Sequence, residues 1–215
     1  MSGSEPTLAR FLRGDIPAVC VEPDGHVSVR TTVPVALLPG SFNPIHAGHW
    51  RLADVASRLI GDPVAFELSV VNVDKPPLTE AEVRGRKEQF AGRVSLWLTR
   101  APTFAEKAVL FSGVQFVVGA DTAARLVAPR YYQDSEARMA EALDAIRRHG
   151  CRFLVAGRMD ERGRFVELDH VGIPDRYRDL FAAISCDEFR VDLSSTQLRE
   201  QARNNVAVAS APAQG

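Results

Sequence analysis

From Val33 onward the chain reads as short apolar runs separated by stretches of helical period, and few folds accept that pattern. A strand that is apolar on both faces must be covered on both. A helix placed between two such strands carries the chain back, so that the next strand starts in parallel. The runs fall at 35–39, 65–72, 94–99, 115–119 and 152–157, with helical stretches at 47–59, 81–92, 103–110 and 134–149, and a sixth short strand is expected at 188–191. The class predicted is α/β.

Ahead of this pattern, a short helix is expected at 8–13. Residues 18–22 and 26–30 alternate on either side of Pro23-Asp24-Gly25, as the arms of a β-hairpin do. Residues 1–31 therefore read as an N-terminal extension, 32–203 as the main domain, and the Ala-, Ser- and Pro-rich segment 204–215 as a disordered tail.

Composition narrows the partners. Hydrophobic residues make up 46% and charged residues 25%, the formal net charge is −1, and no apolar run approaches the roughly 18 residues of a membrane span. Neither nucleic acid nor membrane is expected as a partner, and any anion must be met by a local site. The polar start lacks the pattern of a secretory signal, and the three cysteines, Cys20, Cys151 and Cys186, show no metal-ligand spacing. A cytoplasmic protein with reduced thiols is expected, and no protein-held metal.

The first predicted strand runs into Pro39-Gly40-Ser41-Phe42-Asn43-Pro44-Ile45-His46-Ala47-Gly48-His49. A glycine turn leading into a helix gathers unpaired N–H groups at the positive end of the helix dipole, which suits phosphate. His46 and His49, three apart, share a face of the first turn, and Gly48 removes bulk between them. Two imidazoles there can donate hydrogen bonds to oxygens that gain charge during substitution at phosphorus. Taken alone, the pair would serve equally well as a cap and a packing residue, and the spacing is not that of a zinc site.

PGSFNPIHAGH closely resembles the HxGH signature of the nucleotidylyltransferase superfamily, and its GSFNPIH form is most similar to the nicotinamide or nicotinate mononucleotide adenylyltransferases. Leu193-Ser194-Ser195-Thr196-Gln197-Leu198-Arg199, about 150 residues on, resembles the ISSTxxR motif of the same enzymes. The resemblance spans residues 33 to about 203. It implies a Rossmann-like, doubly wound parallel sheet of order 3-2-1-4-5, the hairpin lying outside it, with the site at the carboxyl edge.

The activity implied is transfer of AMP from ATP, or of a nucleotide from another NTP, to a phosphorylated acceptor with release of pyrophosphate. The leading acceptor is nicotinamide or nicotinate mononucleotide, and Mg²⁺ is expected to enter with the NTP. By the same resemblance His46, His49 and Arg199 are catalytic. Gly40, Ser41, Phe42, Asn43, Gly48, Gly119, Asp121, Ser194, Ser195 and Thr196 bind the nucleotide.

Asp121, in a Gly119-Ala120-Asp121 segment similar to the family's G-x-D, could take ribose hydroxyls or cap a helix. Lys75, Arg86 and Trp97 are the candidates for the acceptor or its phosphate, against solvated or core roles. A cytidylyltransferase of a phosphorylated alcohol, whose usual motifs are GTFD and ISTT, is the second reading, and a non-catalytic nucleotide-binding protein is the third. The sequence leaves assembly into a homo-oligomer open.

Overall fold

The computed structural model describes residues 6–30, 32–73, 75–159 and 164–190. In chain order the elements begin with α1 (Thr7–Arg13), β1 (Ala18–Val21), β2 (Val27–Ser28), β3 (Ala36–Pro39) and α2 (Ala47–Ile60). There follow β4 (Val64–Ser69), α3 (Glu80–Glu88), β5 (Leu96–Thr99), α4 (Phe104–Leu110), β6 (Gln115–Gly119) and α5 (Ala120–Leu126). The last are α6 (Glu136–Arg148), β7 (Arg152–Ala156), β8 (Arg158–Met159), β9 (Phe165–Val166) and β10 (Phe181–Ile184), with short 3₁₀ turns between some of them.

One eight-stranded sheet runs β10-β7-β6-β3-β4-β5-β1-β2, and β8 and β9 form a separate antiparallel ribbon. The five predicted strands, counted along the chain, lie in the order 3-2-1-4-5 and pair in parallel throughout. The hairpin is built into the same sheet: β1 pairs antiparallel with β5 over four residues, and Phe11 of α1 is fully buried beside it.

Apolar side chains cover both faces, as parallel strands require. On one face α1, α2 and α3 enclose Leu38, Phe66, Leu68, Leu98 and Val117; on the other α4 and α6 enclose Leu37, Trp97, Phe116, Val118 and Phe153. Helix α2 buries Gly48, Leu52, Ala53, Val55 and Ala56, a single stripe at helical period, and stops at Gly61 in the left-handed conformation.

The second face also buries a charged pair. Glu67 of β4 accepts from Lys107 Nζ of α4 at 2.6 Å and from Thr99 Oγ1, while Lys107 also donates to the Ala101 carbonyl. Both charged residues are under 5% exposed.

Two elements differ from expectation. The sixth strand is β10; of the expected 188–191, residue 191 lies outside the described residues, and at 188–190 a turn closes on Ser185 bonds to the Glu188 carboxylate while Phe189 is buried without joining a ladder. Helix α5 begins directly from β6 with Gly119 as its N-cap, leaving no loop to announce it.

Candidate active site

The sheet opens at its switch point. β3 pairs with β4 over four residues and β6 with β7 over five, yet β3 meets β6 at only Ala36 and Leu37. Beyond those pairs the carboxyl ends of β3 and β6 diverge, leaving the crevice where doubly wound sheets bind ligands.

The loop leaving β3 forms one wall, and its backbone is held from several sides. Gly40 N–H donates to the Glu67 carbonyl at 2.9 Å, extending the β3–β4 ladder by one bond. Arg86 donates to the Ser41 carbonyl at 3.0 Å. Gln89, the C-cap of α3, grips the loop twice: its Nε2 donates to the Phe42 carbonyl at 3.0 Å and its Oε1 accepts from Ile45 N–H at 2.9 Å.

Phe42 turns inward at φ +43, a region costly for a residue with a side chain, and its ring is 1% exposed. It packs edge-on to Phe66, Phe90 and His49. A Cβ on Gly40 would stand 2.6 Å from that ring, so glycine is the residue that lets the phenyl group fold beneath the loop. Asn43 and Ser41 remain exposed on the outer side.

His46 is the N-cap of α2 and His49 its third residue. His46 Nδ1 accepts from Gly48 N–H at 3.1 Å, and His49 Nδ1 accepts from His46 N–H at 3.2 Å. The ring centroids are 3.9 Å apart. Two of the backbone donors expected to face a phosphate are therefore spent on the rings. With Nδ1 an acceptor in each neutral ring, the proton sits on Nε2.

Both rings are held neutral. Burial, then His46, then Arg158 bring His49 down to about 4; burial and then Arg158 lower His46 from its ordinary value.

The other wall rises from β6 and β7. Gly119 and Ala156 are paired in register, and two residues beyond them Asp121 and Arg158 meet, Arg158 donating to Asp121 Oδ2 at 3.0 Å. Asp121 does not cap α5. Its carboxylate folds back over the strand end, where a Cβ on Gly119 would lie 2.7 Å from Oδ1.

Not every candidate lands here. Trp97 is 5% exposed and packs edge-on to Phe111 inside the second core, which corrects its assignment to the acceptor pocket: on β5 its side chain faces α4. Lys75 is exposed in the loop after β4. Arg86 serves the loop through Ser41. Ser194, Ser195, Thr196 and Arg199 lie outside the described residues. Gln89 and Arg158 are additions: one ends a helix aimed at the histidine loop, and the other follows a strand-terminal glycine beside the switch point, a signal available in the sequence.

The loop-to-helix turn bearing two neutral histidines thus stands at the switch point, where doubly wound α/β sheets bind their ligands. The chain belongs to the cytidylyltransferase-like family, whose model matches residues 37–201, and membership supports a nucleotidyltransferase activity. No curated protein matches the chain. Among the described residues no helix is long and apolar enough to cross a membrane.

Proposed function

We propose that the protein transfers AMP from ATP to a phosphorylated acceptor, nicotinamide or nicotinate mononucleotide, with release of pyrophosphate. The observation that carries this reading is the paired, neutral His46 and His49 at the start of α2, set on a loop whose backbone is fixed by Arg86 and Gln89. The GSFNPIH sequence of that loop supports the adenylyl and mononucleotide assignment.

In the reaction a phosphate oxygen of the acceptor attacks the α-phosphorus of ATP while the bond to the β-phosphate oxygen breaks and pyrophosphate leaves. The Nε2–H groups of His46 and His49 donate to the oxygens that gain charge, and neither ring needs to gain or lose a proton. Ser194, Ser195, Thr196 and Arg199 are assigned to the β- and γ-phosphates. Asp121 is assigned to the ribose hydroxyls.

No group of three His, Cys, Asp or Glu among the described residues is placed to hold a metal ion. Magnesium is therefore assigned as a companion of the incoming triphosphate and not as a protein-held ion. Bound there, it would supply charge neutralisation.

Pyrophosphate release across a panel of NTPs and phosphorylated acceptors tests the reading. Release with ATP and a pyridine mononucleotide is the expected result. Release with CTP alone would replace it by a cytidylyltransferase, and no release with any pair would leave a binding protein.

A further inference from the structure

Arg158 is the cation of this site that the preceding reading leaves without a task. It opens β8 immediately after Gly157, whose missing side chain admits the Phe165 ring; a Cβ there would stand 2.6 Å from that ring. The β8–β9 ribbon thereby folds tightly against the end of β7 and fixes where the Arg158 backbone emerges. The guanidinium reaches Asp121 across the β6–β7 edge, and its field is felt by both imidazoles.

We propose that Arg158 is a phosphate-binding residue of the crevice that Asp121 holds in reserve while the site is empty, and that it exchanges this carboxylate for an incoming phosphate oxyanion.

The balance of interactions favours such an exchange. Both side chains of the pair are 42% exposed, and an ion pair so hydrated holds its partners weakly, so leaving it costs little. A phosphate carries more charge than a carboxylate and meets the planar guanidinium fork with two parallel bonds. The neighbouring histidines, being neutral, bring direction without charge. Arg158 supplies the charge they lack, and keeping it on Asp121 prevents an unpaired cation from facing two imidazoles in the empty crevice.

The inference rests on the nucleotidyl-transfer reading only for the identity of the anion. Inorganic pyrophosphate, which has no ribose, separates the two roles of Asp121 and is the probe. Titration calorimetry on the full chain would compare wild type, Arg158→Gln, Asp121→Asn and the double variant.

Arg158→Gln should weaken pyrophosphate by about 10- to 50-fold, and Arg158→Lys by less, since it keeps the charge but loses the fork. Asp121→Asn should tighten binding by about 2- to 5-fold, because the guanidinium is released. In the Arg158→Gln background that gain should vanish. A gain of equal size in both backgrounds would mean that Asp121 acts as a bulk negative charge and would overturn the exchange, as would unchanged affinity in Arg158→Gln. The turnover panel is a separate measurement: its failure would sink the transfer reading and leave this cycle standing.

Discussion

His46 and His49 brace each other across one turn of α2, the backbone N–H of the first bonding to the ring of the second at 3.2 Å, with the rings 3.9 Å apart. Each imidazole is thereby held in one tautomer, with its proton on Nε2. His49→Ala should lower kcat with the true substrate pair by about 10²- to 10³-fold, the scale of losing one oriented donor to a transition-state oxyanion. The accompanying loss of half the capping box should cost only about 1 kcal/mol in urea denaturation. Full turnover in this variant would rule out the role assigned to the ring.

Acid should loosen the fold through the same residue. The His49 imidazole sits at about 4 in the folded protein against an ordinary 6.5, so a proton binds the unfolded chain more tightly than the folded one. The stability owed to its neutral state is fully present above about pH 6.5 and is lost as pH falls toward about 4. Burial and Arg158 shift His46 the same way. Urea midpoints should drop between neutral pH and about pH 5, and the drop should shrink in His49→Asn. Equal pH dependence in both proteins would contradict the assignment.

Gln89 should matter more than its place at a helix end suggests. Gln89→Ala removes the donor to Phe42 and the acceptor from Ile45, leaving two half-buried backbone groups without that partner, at a cost of about 1–3 kcal/mol. Because those groups fix the loop that aims both histidines, kcat should fall further than the stability loss explains. Gln89→Glu keeps the acceptor and sets a carboxylate against the Phe42 carbonyl, so it should rescue neither property. Thermal melts and steady-state kinetics on the two variants would show this, and wild-type kcat in either would exclude the clamp.

The buried pair of Glu67 and Lys107 offers a test of packing against charge. Lys107→Met strands the Glu67 carboxylate, at a cost of about 3–5 kcal/mol. Adding Glu67→Leu should recover most of that loss, because removing both charges also removes the desolvation penalty. Denaturant unfolding of the single and double variants measures the recovery. A double variant no more stable than the single would show that a stranded carboxylate is not the source of the loss.

The five parallel strands and helices α2, α3, α4 and α6 were legible because period and apolar runs report burial, which is what a two-faced sheet imposes; α5, which starts on the last residue of a strand, was not. The order of those strands came from the resemblance of PGSFNPIHAGH, since periodicity says nothing of neighbours. β10 escaped notice because Phe181-Ala-Ala-Ile184 is short and alternates poorly, while Phe189 drew attention by being apolar in a turn. Local sequence placed His46 and His49 together; it could not assign Gln89 to a loop more than forty residues earlier, a contact that exists only once α3 has packed. Trp97 misled for the opposite reason, since an aromatic at a strand end faces ligand or core according to a register set by β4 and β1.

The union of the N-terminal hairpin with the sheet bears on how the protein is handled. A chain begun at residue 32, on the view that the first thirty residues are ornamental, would bare the outer edge of β5 from Leu96 to Thr99, where β1 had lain. It would also vacate the space filled by Phe11. An unpaired apolar edge recruits another strand. Oligomers seen with such a fragment would reflect a wound in the sheet, and its lost activity would say nothing about which residues do the chemistry.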